Sequence, residues 1–183
     1  MLIERLNSRL EDHGDKIAII ETGQSFTYAD LYVAASEWQQ KLNLREVKSG
    51  RVVAIQSDFT FQTIALLIAL FRNRNVAALI SPGAKHIERY CEDAMASYLY
   101  VANNGQLDVT DLPERAEPRH SLLQGLEDQS HAGFIIFSSG TTGRPKAILH
   151  DLERFLGSYT DVKKVFRTLS FLLLDHIAGL DTL

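Results

Sequence analysis

The stretch Ser138-Ser139-Gly140-Thr141-Thr142-Gly143-Arg144-Pro145-Lys146 gathers hydroxyls, glycines and a lysine into one short segment. Glycines let backbone amides come close to an anion, hydroxyls add donors, and an ammonium group adds positive charge. Together they suit a polyphosphate. A plain Ser/Gly/Thr turn would account for the glycines and hydroxyls with no ligand. However, the stretch follows directly on Gly133-Phe134-Ile135-Ile136-Phe137, an apolar run with the character of a buried strand, and is followed by Ala147-Ile148-Leu149-His150.

Counting excludes two better-known phosphate loops. The nucleotide-triphosphatase loop needs four residues between its glycines and a Gly-Lys-Ser/Thr ending. Here two residues separate Gly140 from Gly143, and Lys146 follows Arg144-Pro145 and precedes Ala147. No G-x-G-x-x-G is present for a dinucleotide. Elsewhere the reactive residue types are scattered. His13, His86, His120, His131 and His150 show no spacing of a triad or metal site and read as mostly solvated. Cys91, the single cysteine, lies at packing distance from Ile87 and Met95 along a helical pattern and reads as a buried, inert thiol. Lys163-Lys164 reads as the solvated side of an amphipathic helix.

The elements that would position the loop alternate. Leu2, Ile3, Leu6 and Leu10 recur at helical spacing up to Gly14. Ile17 to Ile20 reads as a strand, and Thr27-x-x-Asp30 as a capping box opening a helix to Leu42, with Leu31, Ala35, Trp38 and Leu42 on its core side. Strand Val52 to Ile55, helix Phe59 to Phe71, strand Val76 to Ile80, helix Lys85 to Met95 and strand Tyr98 to Val101 follow. Four strands alternating with helices predict an α/β fold with a largely parallel sheet flanked by helices. Residues 102–130 turn polar, carry Pro113 and Pro118, and read as a loop or hairpin excursion. The expected organisation is an N-terminal α/β subregion at 1–101, a connecting excursion at 102–130, and the start of a second subregion with the phosphate loop at 131–183.

Composition narrows the function classes. Lys and Arg total 19 against 23 Asp and Glu, a formal net charge of -4, which offers no footprint for a nucleic-acid backbone. The N-terminus lacks the continuous apolar segment of a signal peptide, and a single cysteine leaves no intramolecular disulfide. A cytoplasmic location is expected. The most apolar run, Ile64 to Phe71, falls far short of the roughly 20 residues of a membrane-spanning helix.

Ser138 to Lys146 resembles, without a gap, the phosphate loop of the adenylate-forming superfamily, which includes acyl-CoA synthetases, firefly luciferase and the adenylation domains of nonribosomal peptide synthetases. Upstream, Gln24-Ser25-Phe26-Thr27-Tyr28-Ala29-Asp30-Leu31 and Gly50-Arg51-Val52-Val53-Ala54-Ile55 are similar to early segments of that family. Downstream, Phe171-Leu172-Leu173-Leu174-Asp175-His176-Ile177-Ala178-Gly179-Leu180 resembles the segment in which an aromatic-His pair precedes Gly-Leu near the acyl pocket, with Asp175 in place of the aromatic.

The resemblance implies a fold and a chemistry. Ser138, Ser139, Gly140, Thr141, Thr142, Gly143 and Lys146 would hold the β- and γ-phosphates of ATP, with Mg²⁺, while a small carboxylic acid attacks the α-phosphate. The acyl-adenylate would then pass to a thiol, coenzyme A by default. His176 would neighbour the carboxylate, and no residue is assigned to a metal. Asp175 reads as a helix cap, or as an acid that disfavours fatty chains or favours a cationic substituent.

The family's later Tyr-Gly-x-Thr-Glu, Thr-Gly-Asp and C-terminal lysine elements have no counterpart here. The expectation is therefore an N-terminal portion of an acyl-CoA synthetase-like ligase, inactive alone, that self-associates through Ile177, Leu180 and Leu183. The alternative is a non-catalytic α/β module for assembly or phosphate binding.

Overall fold

The computed structural model describes residues 2–103, 106–114, 118–138, 146–158, 168, 173 and 175–180. In chain order the elements are α1 (Leu2–Asp12), β1 (Ile17–Glu21), β2 (Gln24–Thr27), α2 (Tyr28–Leu44), β3 (Val52–Gln56), α3 (Phe61–Arg72), β4 (Val76–Ile80), α4 (Ile87–Asp93), β5 (Tyr98–Asn103), β6 (Gln106–Asp111), α5 (Ser121–Asp128), β7 (Gly133–Ser138), β8 (Lys146–Asp151), α6 (Leu152–Gly157) and α7 (Ile177–Leu180).

The main sheet has the order β6-β5-β3-β4-β7-β8. Its four inner strands run parallel, and an antiparallel strand closes each side. Every residue of β3 and β4 is buried, because helices cover both faces and the continuous apolar runs face a core on each side. Alternate side chains divide the two cores. Val53, Ile55, Ala77, Leu79 and Phe134 pack with α1, α2 and α3, whereas Val52, Ala54, Val76, Ala78 and Ile135 pack with α4 and α5. Trp38 is a core residue, as its spacing predicts, with its Nε1 donating to Gln62 Oε1 at 3.0 Å and its ring edge-on to Tyr100.

Two elements depart from the sequence-based expectation. The strand at Ile17–Glu21 does not join the parallel set. It pairs antiparallel with β2 in a separate two-stranded sheet. A bulge between Ile17 and Ile19 leaves Ile17 and Ile20 exposed, while Phe26 from β2 stacks on Phe61 at 4.0 Å. Within residues 102–130, expected as a loop or hairpin excursion, β6 forms a hairpin with β5, and the unexpected element is α5, which packs Leu123 and Leu126 into the second core.

Thr27 and Asp30 form the expected capping box at the start of α2. Thr27 N donates to Asp30 Oδ2 at 2.8 Å, and Asp30 N donates to Thr27 Oγ1 at 3.1 Å. The bond from the Thr27 amide favours the ionised acid and lowers the Asp30 pKa.

Four helices share one kind of ending. Glu46, Arg74, Met95 and Ser130 follow α2, α3, α4 and α5 with φ between 55° and 58°. After each, the next amide reaches back five residues: Val47 to Leu42, Asn75 to Leu70, Ala96 to Cys91 and His131 to Leu126, all at 2.9–3.0 Å. These are left-handed caps built without glycine. A side chain in that conformation costs about 1–2 kcal/mol, part of which glycine's extra unfolded-state freedom cancels. Arg74→Gly is therefore expected to raise unfolding free energy by about 0.5–1 kcal/mol in urea titration. A loss of stability would show that the Arg74 side chain carries packing the cap does not account for.

Candidate functional site

β7 and β8 form an antiparallel hairpin in the register Gly133↔Asp151 through Phe137↔Ala147 to Ser138↔Lys146. The stretch read from sequence as a phosphate loop is thus the connection at the hairpin tip, and its first and last residues face each other across the ladder. Ser139, Gly140, Thr141, Thr142 and Gly143 lie outside the described residues. β7 is buried at its base, where it runs parallel to β4, and opens towards Ser138. Lys146 is exposed.

The base is packed too closely for any side chain at Gly133, where an added Cβ would lie 2.8 Å from the His150 carbonyl and 2.9 Å from Leu126 Cδ1. One step along, Phe134 stacks on His150 with centroids 4.8 Å apart and meets Phe155 of α6 edge-on at 5.1 Å. Near the tip, on the opposite side of the sheet, Phe137 meets Tyr90 of α4 edge-on at 4.8 Å and 78°.

His131 and His150, read from sequence as solvated, are half-buried. His131 Nδ1 lies 3.0 Å from Asp151 Oδ2, and Asp151 Oδ1 caps α6 by accepting from Glu153 N at 2.9 Å. His150 Nε2 is buried and has no hydrogen-bond partner among the described residues. Burial lowers the His150 pKa, since desolvation penalises imidazolium. The unfolded chain therefore binds a proton that the folded chain resists. The resulting stability is present above the unfolded value of about 6.5 and is lost as pH falls below it. His150→Phe is expected to reduce the drop in melting temperature between pH 7.5 and pH 5. An equal drop in both proteins would place the acid sensitivity elsewhere.

His176 precedes the short α7 and is exposed, with its Nε2 3.8 Å from Asp175 Oδ1. Asp175 makes no capping bond to α7 among the described residues. Its Oδ1 is buried without a hydrogen bond to any described residue. α7 docks on the β3–α3 connection: Leu180 is buried, and a Cβ on Gly179 would press on the Phe59 ring and collide with the Leu173 carbonyl. The connection is itself fixed by a hydroxyl chain in which Ser57 Oγ is 2.7 Å, and Thr60 Oγ1 2.8 Å, from Thr63 Oγ1. Of the apolar residues expected to be open at this end, Ile177 is exposed, Leu180 is not, and Leu183 lies outside the described residues. No described contact joins His176 to Ser138 or Lys146.

Cys91 is buried. Among the described residues no cluster of His, Cys, Asp and Glu could hold a metal ion, and no helix is long and apolar enough to cross a membrane.

The fold has solved counterparts. The N-terminal domain of FACL13 from Mycobacterium tuberculosis, solved with an inhibitor, superposes with a TM-score of 0.74 at 19% identity, over 98% of this chain and 53% of that one. The o-succinylbenzoate CoA synthetase of Bacillus subtilis, solved with its acyl-adenylate intermediate, gives 0.69 at 19% identity, over 96% of this chain and 50% of that one. By sequence, the cyclo-acetoacetyl-L-tryptophan synthase of Aspergillus oryzae is 24% identical over 160 residues, covering 80% of this chain and 4% of that relative. The sequence model of the AMP-binding enzyme family matches residues 6–183. With that match running through both cores, the hairpin and α7, the chain belongs to the AMP-binding enzyme family of adenylate-forming synthetases and ligases.

Proposed function

We propose that the chain supplies the phosphate-gripping portion of an ATP-dependent carboxylate-adenylating ligase of acyl-CoA synthetase type. One observation carries the reading: the Ser/Thr/Gly stretch joins the two strands of a hairpin whose tip residues, Ser138 and Lys146, are cross-strand neighbours, while its base runs beside the buried parallel strand β4. Opposed residues on antiparallel strands have Cα atoms about 4.5–5.5 Å apart. A hydroxyl and an ammonium at that spacing fit successive phosphate oxygens, and the exposure of Lys146 leaves its charge available.

In this reading Ser138, Ser139, Thr141 and Thr142 donate from hydroxyls, Gly140 and Gly143 bring backbone amides close, and Lys146 neutralises charge on the β- and γ-phosphates. ATP supplies the α-phosphate that a carboxylate oxygen attacks, with the bond to pyrophosphate breaking and Mg²⁺ accompanying the nucleotide. His176 borders the carboxylate of a small organic acid. The product passes to coenzyme A, an acceptor supported by the likeness to a CoA synthetase. Gripping phosphates without groups for the ribose and the developing charge leaves in-line attack unsupported, so the chain alone does not turn over.

Calorimetry with ATP and Mg²⁺ on the wild type and Thr142→Ala tests the grip. Measurable binding weakened by the substitution supports it. Wild-type and variant heats that coincide would sink it and favour the non-catalytic α/β module.

A further inference from the structure

We infer that Tyr90 is a positioning residue for the phosphate loop, fixing the tip end of the β7–β8 hairpin from the face opposite to the one that presents Ser138 and Lys146. The inference rests on the functional reading above and concerns a residue that reading does not use.

Side chains alternate across the sheet. Phe137 and its partner Ala147 therefore point into the core formed with α4 and α5, and both pack there with Tyr90. Ser138 and Lys146, one step nearer the tip, point the other way. Phe137 is only half-buried and stands at the opening end of β7, so the Tyr90 ring, edge-on at 4.8 Å, is an aromatic contact that holds it. α4 is itself anchored: Cys91 and Ala94 are buried in the same core. Among the described residues, strand β8 has a neighbour on one side only. The register between Ser138 and Lys146 thus depends on Phe137 keeping its rotamer. A hydroxyl and an ammonium reach the same polyphosphate only while that register holds.

The hydroxyl of Tyr90 is not needed for this role, but the ring is. Hydrogen–deuterium exchange and ATP–Mg²⁺ calorimetry on the full chain, as wild type, Tyr90→Phe and Tyr90→Ala, test it. In Tyr90→Ala the amides of the β7–β8 tip are expected to exchange faster while those of β3 and β4 keep their rates. ATP affinity is expected to fall by about two- to tenfold, the scale of losing one well-placed aromatic pair. Tyr90→Phe is expected to restore both. Tip exchange that stays at the wild-type rate overturns the inference, as does acceleration spread equally through β3 and β4, or unchanged ATP affinity in Tyr90→Ala. A wild type that fails to bind ATP defeats the functional reading instead, and the exchange measurements still decide what Tyr90 does to the hairpin.

Discussion

Lys146→Ala is expected to weaken ATP–Mg²⁺ binding by about ten- to a hundredfold, since a hydrogen bond to a charged group contributes about 1.5–3 kcal/mol. Lys146 opens β8 opposite Ser138, and its exposure means that the folded chain gains little from it. The variant should therefore melt at nearly the wild-type temperature. A large loss of affinity with retained stability is the signature of a ligand-facing cation. Because the pair would be partly open to solvent, affinity should also fall with added salt in the wild type and less so in the variant. Thr142→Ala removes a neutral donor, which contributes about 0.5–1.5 kcal/mol, so its effect should be smaller than that of the lysine. Equal ATP affinity in wild type and Lys146→Ala would remove the lysine from the phosphate site.

Phe134→Ala is expected to cost about 3–5 kcal/mol of unfolding free energy, the range for emptying a buried aromatic site. Phe134 is 1% exposed and links three elements: β7, which carries it, β8 through the stacked His150, and α6 through Phe155. Domains of ordinary size have about 5–15 kcal/mol in total, so this single change brings the fold close to failure. Urea titration checks it. Ile148→Ala, on the exposed part of β8, serves as contrast and should stay within about 0.5 kcal/mol. If both variants lose similar amounts, the hairpin base is not the anchor that the packing indicates.

The parts of the fold legible in the sequence are those where one physical signal dominates. β4 lies at the bounds its apolar run suggests, and β3 and α3 fall within two residues of theirs, because strands and helices buried on all sides read as continuous apolar stretches. The capping box at Thr27 was equally plain, being a local interaction between residues three apart. β1 and β2 were harder. Ile17 to Ile20 has the β-branched composition of a core strand, and only its partner and its bulge put it in a side sheet. α5 hid behind a mid-helix Gly125 and a His120 cap, a residue seldom associated with helix starts.

For the candidate site, the Ser138–Lys146 stretch stands out in the sequence by residue type and spacing, and the hairpin whose strands it joins follows from β8 turning back on β7. The half-burial of His131 and His150 was not legible. It depends on Asp151 and Phe134, which lie 20 and 16 residues away in sequence. Tyr90 was equally silent, since its contact with Phe137 arises only once α4 crosses the sheet.

The left-handed endings at Glu46, Arg74, Met95 and Ser130 have a consequence for sequence drift. Each stop is made by main-chain bonds that most residues other than proline and the β-branched ones can accommodate, at a cost of about 1–2 kcal/mol where no glycine is present. The punctuation of this fold is thus written in backbone geometry and leaves the identity of the residue nearly free. A chain whose helices are halted in this way can change the letters at these stops and keep its outline.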